Sequence, residues 1–421
     1  MVKPVRALAV VVVATLAVAA CGGGSSSEGG DGSKTLVIST DLPMQGSNKD
    51  ASQSTVDAIK LYLEQQGNKA GDYTIQLKQY DDSTAATGAW DPATCSKNGT
   101  DHVANTNEVA VMGTLNSGCA KLIVPTLNQD PDGPMLMVSH ANTNVGLTQK
   151  YDPGEPEKYF PSGERSFARV VTTDDTQGLA DAQFAAETLK TKSVYVLNDN
   201  QTYGQGVAKT FATAAQAAGI KVIANEAIDP KAANYTALMQ KIKSSGADLI
   251  FMGGVYDAGN GGQVIKDKVS VLGKNDGKVK FMAPDGWTGY TDFLKQPESE
   301  GVYLSFAGLA SDVLLKTPGA GQKFLEAYKA KYGADPVGSY PLYGVAAVQV
   351  ILAAIAKSDG TRKGVRDAVF EGDGITIPAA ESVLGKDIKI DPATGDTNNK
   401  DISIELVKSG KETFLKAQAV S

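Results

Sequence analysis

VAVMGTLNSGCAKLIVPTLNQDPDGPMLMVSHANTN, residues 109–144, is the stretch that decides the fold. Residues 109–112 form a short apolar run, the composition of a strand buried on both faces. Small residues follow at 113–118 as a turn, and 120–128 carries helical periodicity. A second buried strand covers 135–138 and a polar loop covers 139–144. The order strand, helix, strand makes a βαβ unit. In an open parallel sheet, ligands sit outside the carboxyl ends of the strands. Ser117 and Thr143, just past those ends, are the first candidates for touching a ligand.

Outward from this unit the pattern repeats. Strands are expected at 36–39 and 75–80 before it, and at 193–197, 222–225, 248–252, 280–283 and 302–306 after it. Helices are expected at 50–66, 205–218, 262–272, 322–332 and 343–357, and a last strand at 401–407. Regular alternation of this kind implies a parallel sheet covered by helices on both faces. The 387 residues from Thr35 exceed what one hydrophobic core usually serves, so two lobes are expected. Residues 151–165, rich in Pro, Gly and charge, read as a surface loop or insertion.

The amino-terminal stretch has a different character. Lys3 and Arg6 precede an uncharged apolar run at 7–20, about fourteen residues long. That is the layout of an export signal and too short for a membrane span. The run ends Val18-Ala19-Ala20-Cys21, similar to the bacterial lipoprotein cleavage box, which makes Cys21 the expected lipidated residue. Residues 22–34 are Gly- and Ser-rich and serve as a tether reaching about 20 Å. Formal net charge is −7, and −9 without Lys3 and Arg6. An acidic body of this kind is unsuited to nucleic acid, which requires a basic surface. Apart from Cys21 the cysteines are Cys95 and Cys119. Export favours a disulfide between them over two buried thiols.

Catalytic signatures are missing. There is no G-x-S-x-G, P-loop or G-x-G-x-x-G after a strand, and no cofactor is expected. His102 and His140 are the only histidines and neither has a partner at metal-ligand spacing, so no metal site is expected. A triad of Ser117, His140 and Asp285 can be assembled on paper as a remote hydrolase alternative, since triads follow geometry and not order. Ser117 at a helix start suits a carboxylate, through free N–H groups and the positive dipole end, and equally suits a plain helix cap. Thr143 carries the same two readings. Asp285, between Pro284 and Gly286, reads locally as a turn former first and an ammonium partner second. Tyr203 and Tyr256 follow strands and either stack on a ligand or cover the sheet edge.

Several of these segments, in this order, resemble one family. They are LVISTDLPMQGS (36–47), GTLNSG (113–118), VSHANTNVGLTQ (138–149), NDNQTYGQGVAKTF (198–211), GADLIFMGGVY (246–256), FMAPDGW (281–287) and YPLYGVAAVQVILAAI (340–355). Together they resemble the type I periplasmic solute-binding proteins of ABC importers, branched-chain amino-acid-binding branch. The resemblance implies two doubly wound parallel-sheet lobes joined by a three-crossing hinge, with the ligand in the cleft between them. Lobe I would comprise 35–172 plus 303–400 and lobe II 173–302 plus 401–421. It implies that Ser117 and Thr143 hold a carboxylate, that the Asn142 carbonyl and Asp285 receive an ammonium, and that Tyr203 and Tyr256 supply aromatic contacts. It also implies a Cys95–Cys119 disulfide and a monomeric, membrane-tethered protein outside the cytoplasm that delivers an amino acid to an ABC permease. Amides, urea or small aromatic acids are the alternative ligands. Asp285 in place of the family's usual Glu, and Gly118-Cys119-Ala120 in place of a hydroxyl run, mark this chain's departures.

Overall fold

Residues 34–418 are described in a computed structural model. Its strands, in chain order, are β1 (Thr35–Leu42), β2 (Lys69–Ala70), β3 (Tyr73–Asp81), β4 (Glu108–Gly113), β5 (Leu136–Ser139), β6 (Phe167–Arg169), β7 (Ser193–Asn198), β8 (Lys221–Ala227), β9 (Leu249–Gly253), β10 (Lys280–Ala283), β11 (Tyr303–Phe306), β12 (Thr376–Ile377), β13 (Ile388–Lys389), β14 (Ile402–Lys408) and β15 (Lys411–Gln418). The helices are α1 (Lys49–Gln65), α2 (Pro92–Ala104), α3 (Ser117–Asn128), α4 (Asp174–Glu187), α5 (Thr202–Ala217), α6 (Thr236–Ser245), α7 (Gly261–Leu272), α8 (Thr291–Lys295), α9 (Ser311–Lys316), α10 (Ala320–Tyr332), α11 (Tyr340–Ala356) and α12 (Arg362–Phe370).

Two main sheets form. The first runs β2-β3-β1-β4-β5-β6 and the second β15-β14-β11-β10-β9-β7-β8. β1, β3, β4, β5 and β6 are mutually parallel, as are β7 to β11, while β14 and β15 join antiparallel. Period-two alternation sorts the first sheet's side chains onto two faces. Ala110, Met112, Leu136 and Val138 join the core containing α1 and α11, whereas Val111 and Met137 join the smaller core under α2 and α3. The second sheet has a core of its own. Strands buried on both faces must be apolar throughout, which is why 109–112 and 135–138 read as unbroken runs.

The chain passes to the second sheet after β6 and back after β11, then returns before β14. The first two passages touch, the Thr172 N–H donating to the Ala307 carbonyl at 3.3 Å. The expected boundary at 302 needs correction, because β11 is bonded between β10 and β14 and belongs to the second sheet. Residues 151–165 also differ from a plain surface loop. Glu155, Tyr159 and Phe160 are buried, and Glu155 accepts from Lys121 at 2.9 Å and from the Tyr159 hydroxyl at 2.6 Å, tying the segment to α3. Cys21, the expected export signal and the expected tether up to residue 33 lie outside the described residues.

Candidate functional site

The carboxyl ends of the two parallel sheets face each other across a cavity. One wall comes from the start of α1, from the segment after β4 and from the segment after β5. The other comes from the start of α5 and from the segments after β9 and β10, and the start of α11 closes the end. Among the described residues no Lys or Arg side chain lines it.

Ser117, Tyr203 and Asp285 all stand on this cavity. α3 begins at Ser117, three residues earlier than periodicity suggested, because Asn116 takes the extended backbone of a helix cap. Ser117 therefore carries free N–H groups of a first helical turn at the wall. Its Oγ accepts only a long 3.4 Å bond from the Asn144 N–H. Tyr203 lies in the first turn of α5 and donates its hydroxyl to Asp285 Oδ1 at 2.6 Å. Tyr340, the first residue of α11, donates to the other oxygen. Burial pushes the Asp285 carboxyl up, and the hydroxyls of Tyr203 and Tyr340 oppose that shift. Each carboxylate oxygen keeps a further lone pair able to receive an ammonium.

Asn142, Thr143 and Tyr256 are placed elsewhere. The Asn142 carbonyl, expected to face an ammonium, accepts from Arg169 Nη1 at 3.0 Å, and its side chain donates to the Leu115 carbonyl. Thr143 is fully buried beside Asp174, away from the cavity lining. Tyr256 packs against Trp287, Tyr290 and Phe293 with ring centroids 5.0–5.4 Å apart, so Tyr290 and not Tyr256 reaches the cavity. Nor is the paper triad formed. Asp285 is engaged with tyrosines, and His140 bonds neither Ser117 nor Asp285; its Nδ1 has no partner among the described residues.

Contacts between segments of the two sheets involve residues that local sequence did not flag. The Trp90 indole N–H donates to Gln201 Oε1 at 3.0 Å, and Asn48 Nδ2 donates to the Tyr290 hydroxyl at 2.9 Å. Gly118 is explained by Trp90: a Cβ there would lie 2.6 Å from the indole ring. Cys95 and Cys119, both fully buried, form a disulfide that ties α2 to the first turn of α3. Closing a loop with 24 residues of separation contributes about 3.5 kcal/mol in the chain-entropy picture.

Asp174 sets a pH dependence. It is fully buried, and its carboxyl is pushed up to about 7 by burial, with the Asp285 charge adding and the Arg169 charge opposing. The Thr143 hydroxyl beside it eases the shift without reaching hydrogen-bond geometry. Below the ordinary value of 3.8 both folded and unfolded chains hold the proton; between there and about 7 only the folded chain does. Folding stability contributed by this group is thus full at low pH and is lost as pH rises through that window. Melting temperature should carry this downward component between pH 4 and 7, and Asp174→Asn should remove it. An unchanged pH profile in the variant would contradict the assignment.

Comparison with known proteins agrees with this architecture. A family model described as "Periplasmic binding protein" matches residues 38–401. The Leu/Ile/Val-binding protein BraC3 of Rhizobium johnstonii is 27% identical over 301 residues, covering 72% of this chain and 73% of the relative. Among solved structures, the leucine binding protein LivK of Thermotoga maritima superposes with a TM-score of 0.74 at 21% identity, covering 91% of this chain and 98% of the other. A solute binding protein of an ABC transporter from R. palustris, in complex with benzoate, gives 0.72 at 18% identity, covering 91% and 96%. At these identities the structural likeness speaks to fold.

Proposed function

The chain belongs to the periplasmic binding protein family, and from that premise we propose that it captures a small amino acid outside the cytoplasm and delivers it to an ABC permease. The names of its relatives favour an aliphatic or branched-chain side chain. The observation that carries the proposal is the pairing of opposite ends within one cavity: free N–H groups and a hydroxyl at Ser117, and a buried carboxylate at Asp285. A zwitterion needs an anion site and a cation site a few ångströms apart. Closure around it removes water and strengthens each charge-assisted bond.

Residues of lobe I (35 to the passage near 172, plus those following Phe306 to 400) and of lobe II would close about the three neighbouring passages, in the manner of hinge-bending binding proteins. Cys21 would be the lipid attachment point and 22–34 the tether. Among the described residues no helix is long and apolar enough to cross a membrane. A monomer suffices, because both cavity walls come from one chain. Aromatic acids without an amine fit less well, since their site would leave the Asp285 carboxylate without a cation. Titration calorimetry against a panel of amino acids should give heat with at least one small, uncharged member. Silence across the panel would reject amino-acid binding.

A further inference from the structure

After the zwitterion's two ends are placed, polar side chains remain on the cavity wall with nothing to bond. His140 lines the cavity and is 1% exposed; neither ring nitrogen has a hydrogen-bond partner among the described residues, and because Nδ1 is sealed within the protein, Nε2 is the atom left for a ligand. Asn116 is 6% exposed and lines the same wall; its side chain makes no cap bond to α3, nor a bond to any other described residue. The Ser52 hydroxyl, on α1, is likewise without a partner. His140 is held by an edge-on contact with the Tyr340 ring, centroids 5.5 Å apart, so it cannot simply swing away to find water. Burial keeps its imidazole neutral, its pKa lowered to about 3.

Polar groups that a bound ligand seals from water are costly unless that ligand supplies their partners. A site built in this way separates a ligand carrying the matching hydroxyl or amide from its apolar isostere far better than an apolar pocket separates by size. The charges of the lining narrow the choice further. With Asp285 used by the ammonium, the described residues put no second carboxylate on the cavity wall for a cationic side chain and no Lys or Arg for an anionic one.

We propose that His140, together with Asn116 and Ser52, determines ligand specificity, and that the cavity takes an amino acid whose small or branched side chain is uncharged and ends in a hydroxyl or carboxamide. This rests on the reading that the cavity holds an amino acid, and it departs from the purely aliphatic side chain that the relatives' names favour. His140 acts by hydrogen-bonding the ligand as a neutral imidazole and takes no part in bond-making.

Calorimetry on the full chain with two isosteric pairs, threonine against valine and asparagine against leucine, tests it. The polar member of at least one pair should bind 10-fold tighter or more. His140→Phe, which keeps an aromatic ring against Tyr340, should reduce that ratio to near one or below, while His140→Asn restores part of it. Asn116→Leu gives an independent reading should His140→Phe fail to fold. Tighter binding of valine and leucine than of their polar partners would overturn the inference while leaving amino-acid binding intact, as would a preference that survives both His140→Phe and Asn116→Leu. No heat with any small amino acid would remove the underlying reading and the inference together.

Discussion

Replacing Asp285 by alanine is expected to weaken ligand binding by about 2 to 5 kcal/mol, the range for truncating one partner of a buried charged pair. The expectation follows from the surroundings of the carboxylate. Asp285 is 2% exposed, and it accepts hydroxyls from Tyr203 in α5 and from Tyr340 in α11. Alanine would remove the cation site and leave two buried hydroxyls without acceptors. It would also cut a tie between the two sides of the cleft, since α11 packs in the first core and Asp285 follows β10 of the second sheet. Asp285→Asn separates these effects. It keeps an acceptor for one tyrosine but loses the charge, so its loss should fall short of alanine's only by the hydrogen-bond contribution. Affinity unchanged in both variants would reduce Asp285 to a turn residue.

A second large effect is expected at Arg169. The guanidinium is fully buried and joins β6 to three segments. Its Nε donates to Asp396 at 2.8 Å, Nη1 to the carbonyls of Asn142 and Asn144 at 3.0 and 2.9 Å, and Nη2 to the Thr148 hydroxyl. Burial alone would push the Asp396 carboxyl up, yet the Arg169 charge and the bonds from Arg169, Gln149 and Thr148 bring it below its ordinary value. Arg169→Met strands a buried carboxylate and two carbonyls, and should lower folding stability by about 3 to 5 kcal/mol in urea unfolding. Ligand affinity should drop as well, because the loop that Arg169 braces carries the Asn144 N–H that meets Ser117. A loss under about 1 kcal/mol would show that the network is dispensable.

Much of this architecture could be read from residue order, for reasons visible in particular segments. β4 and β5 are buried on both faces and so are apolar at every position, and α3 between them keeps a helical stripe. Ser117 and Asp285 were legible because each follows a strand, where an open parallel sheet places its ligands. What escaped was pairing over long separation. Trp90 sits in a polar segment whose composition says nothing of Gln201, 111 residues away. Tyr340 lies just ahead of the apolar helix expected at 343–357, and only the return of the chain after β11 carries it to Asp285. Tyr256 was indistinguishable from a ligand contact by position, but Trp287 and Phe293 supplied an aromatic nest for it and left Tyr290 at the wall. The Arg169 bond to the Asn142 carbonyl escaped for a related reason: a backbone carbonyl carries no sequence signal, and its donor stands 27 residues away.

The central claim is that the two sheets hold one amino acid between the start of α3 and Asp285. It is tested most directly by a crystal structure of the protein with the tightest-binding amino acid from the calorimetric panel. The ligand carboxylate should lie within hydrogen-bond distance of the Ser117 hydroxyl and the first N–H groups of α3, with its ammonium on Asp285. A ligand bound outside this cavity, or one whose amine makes no contact with Asp285, would contradict the account.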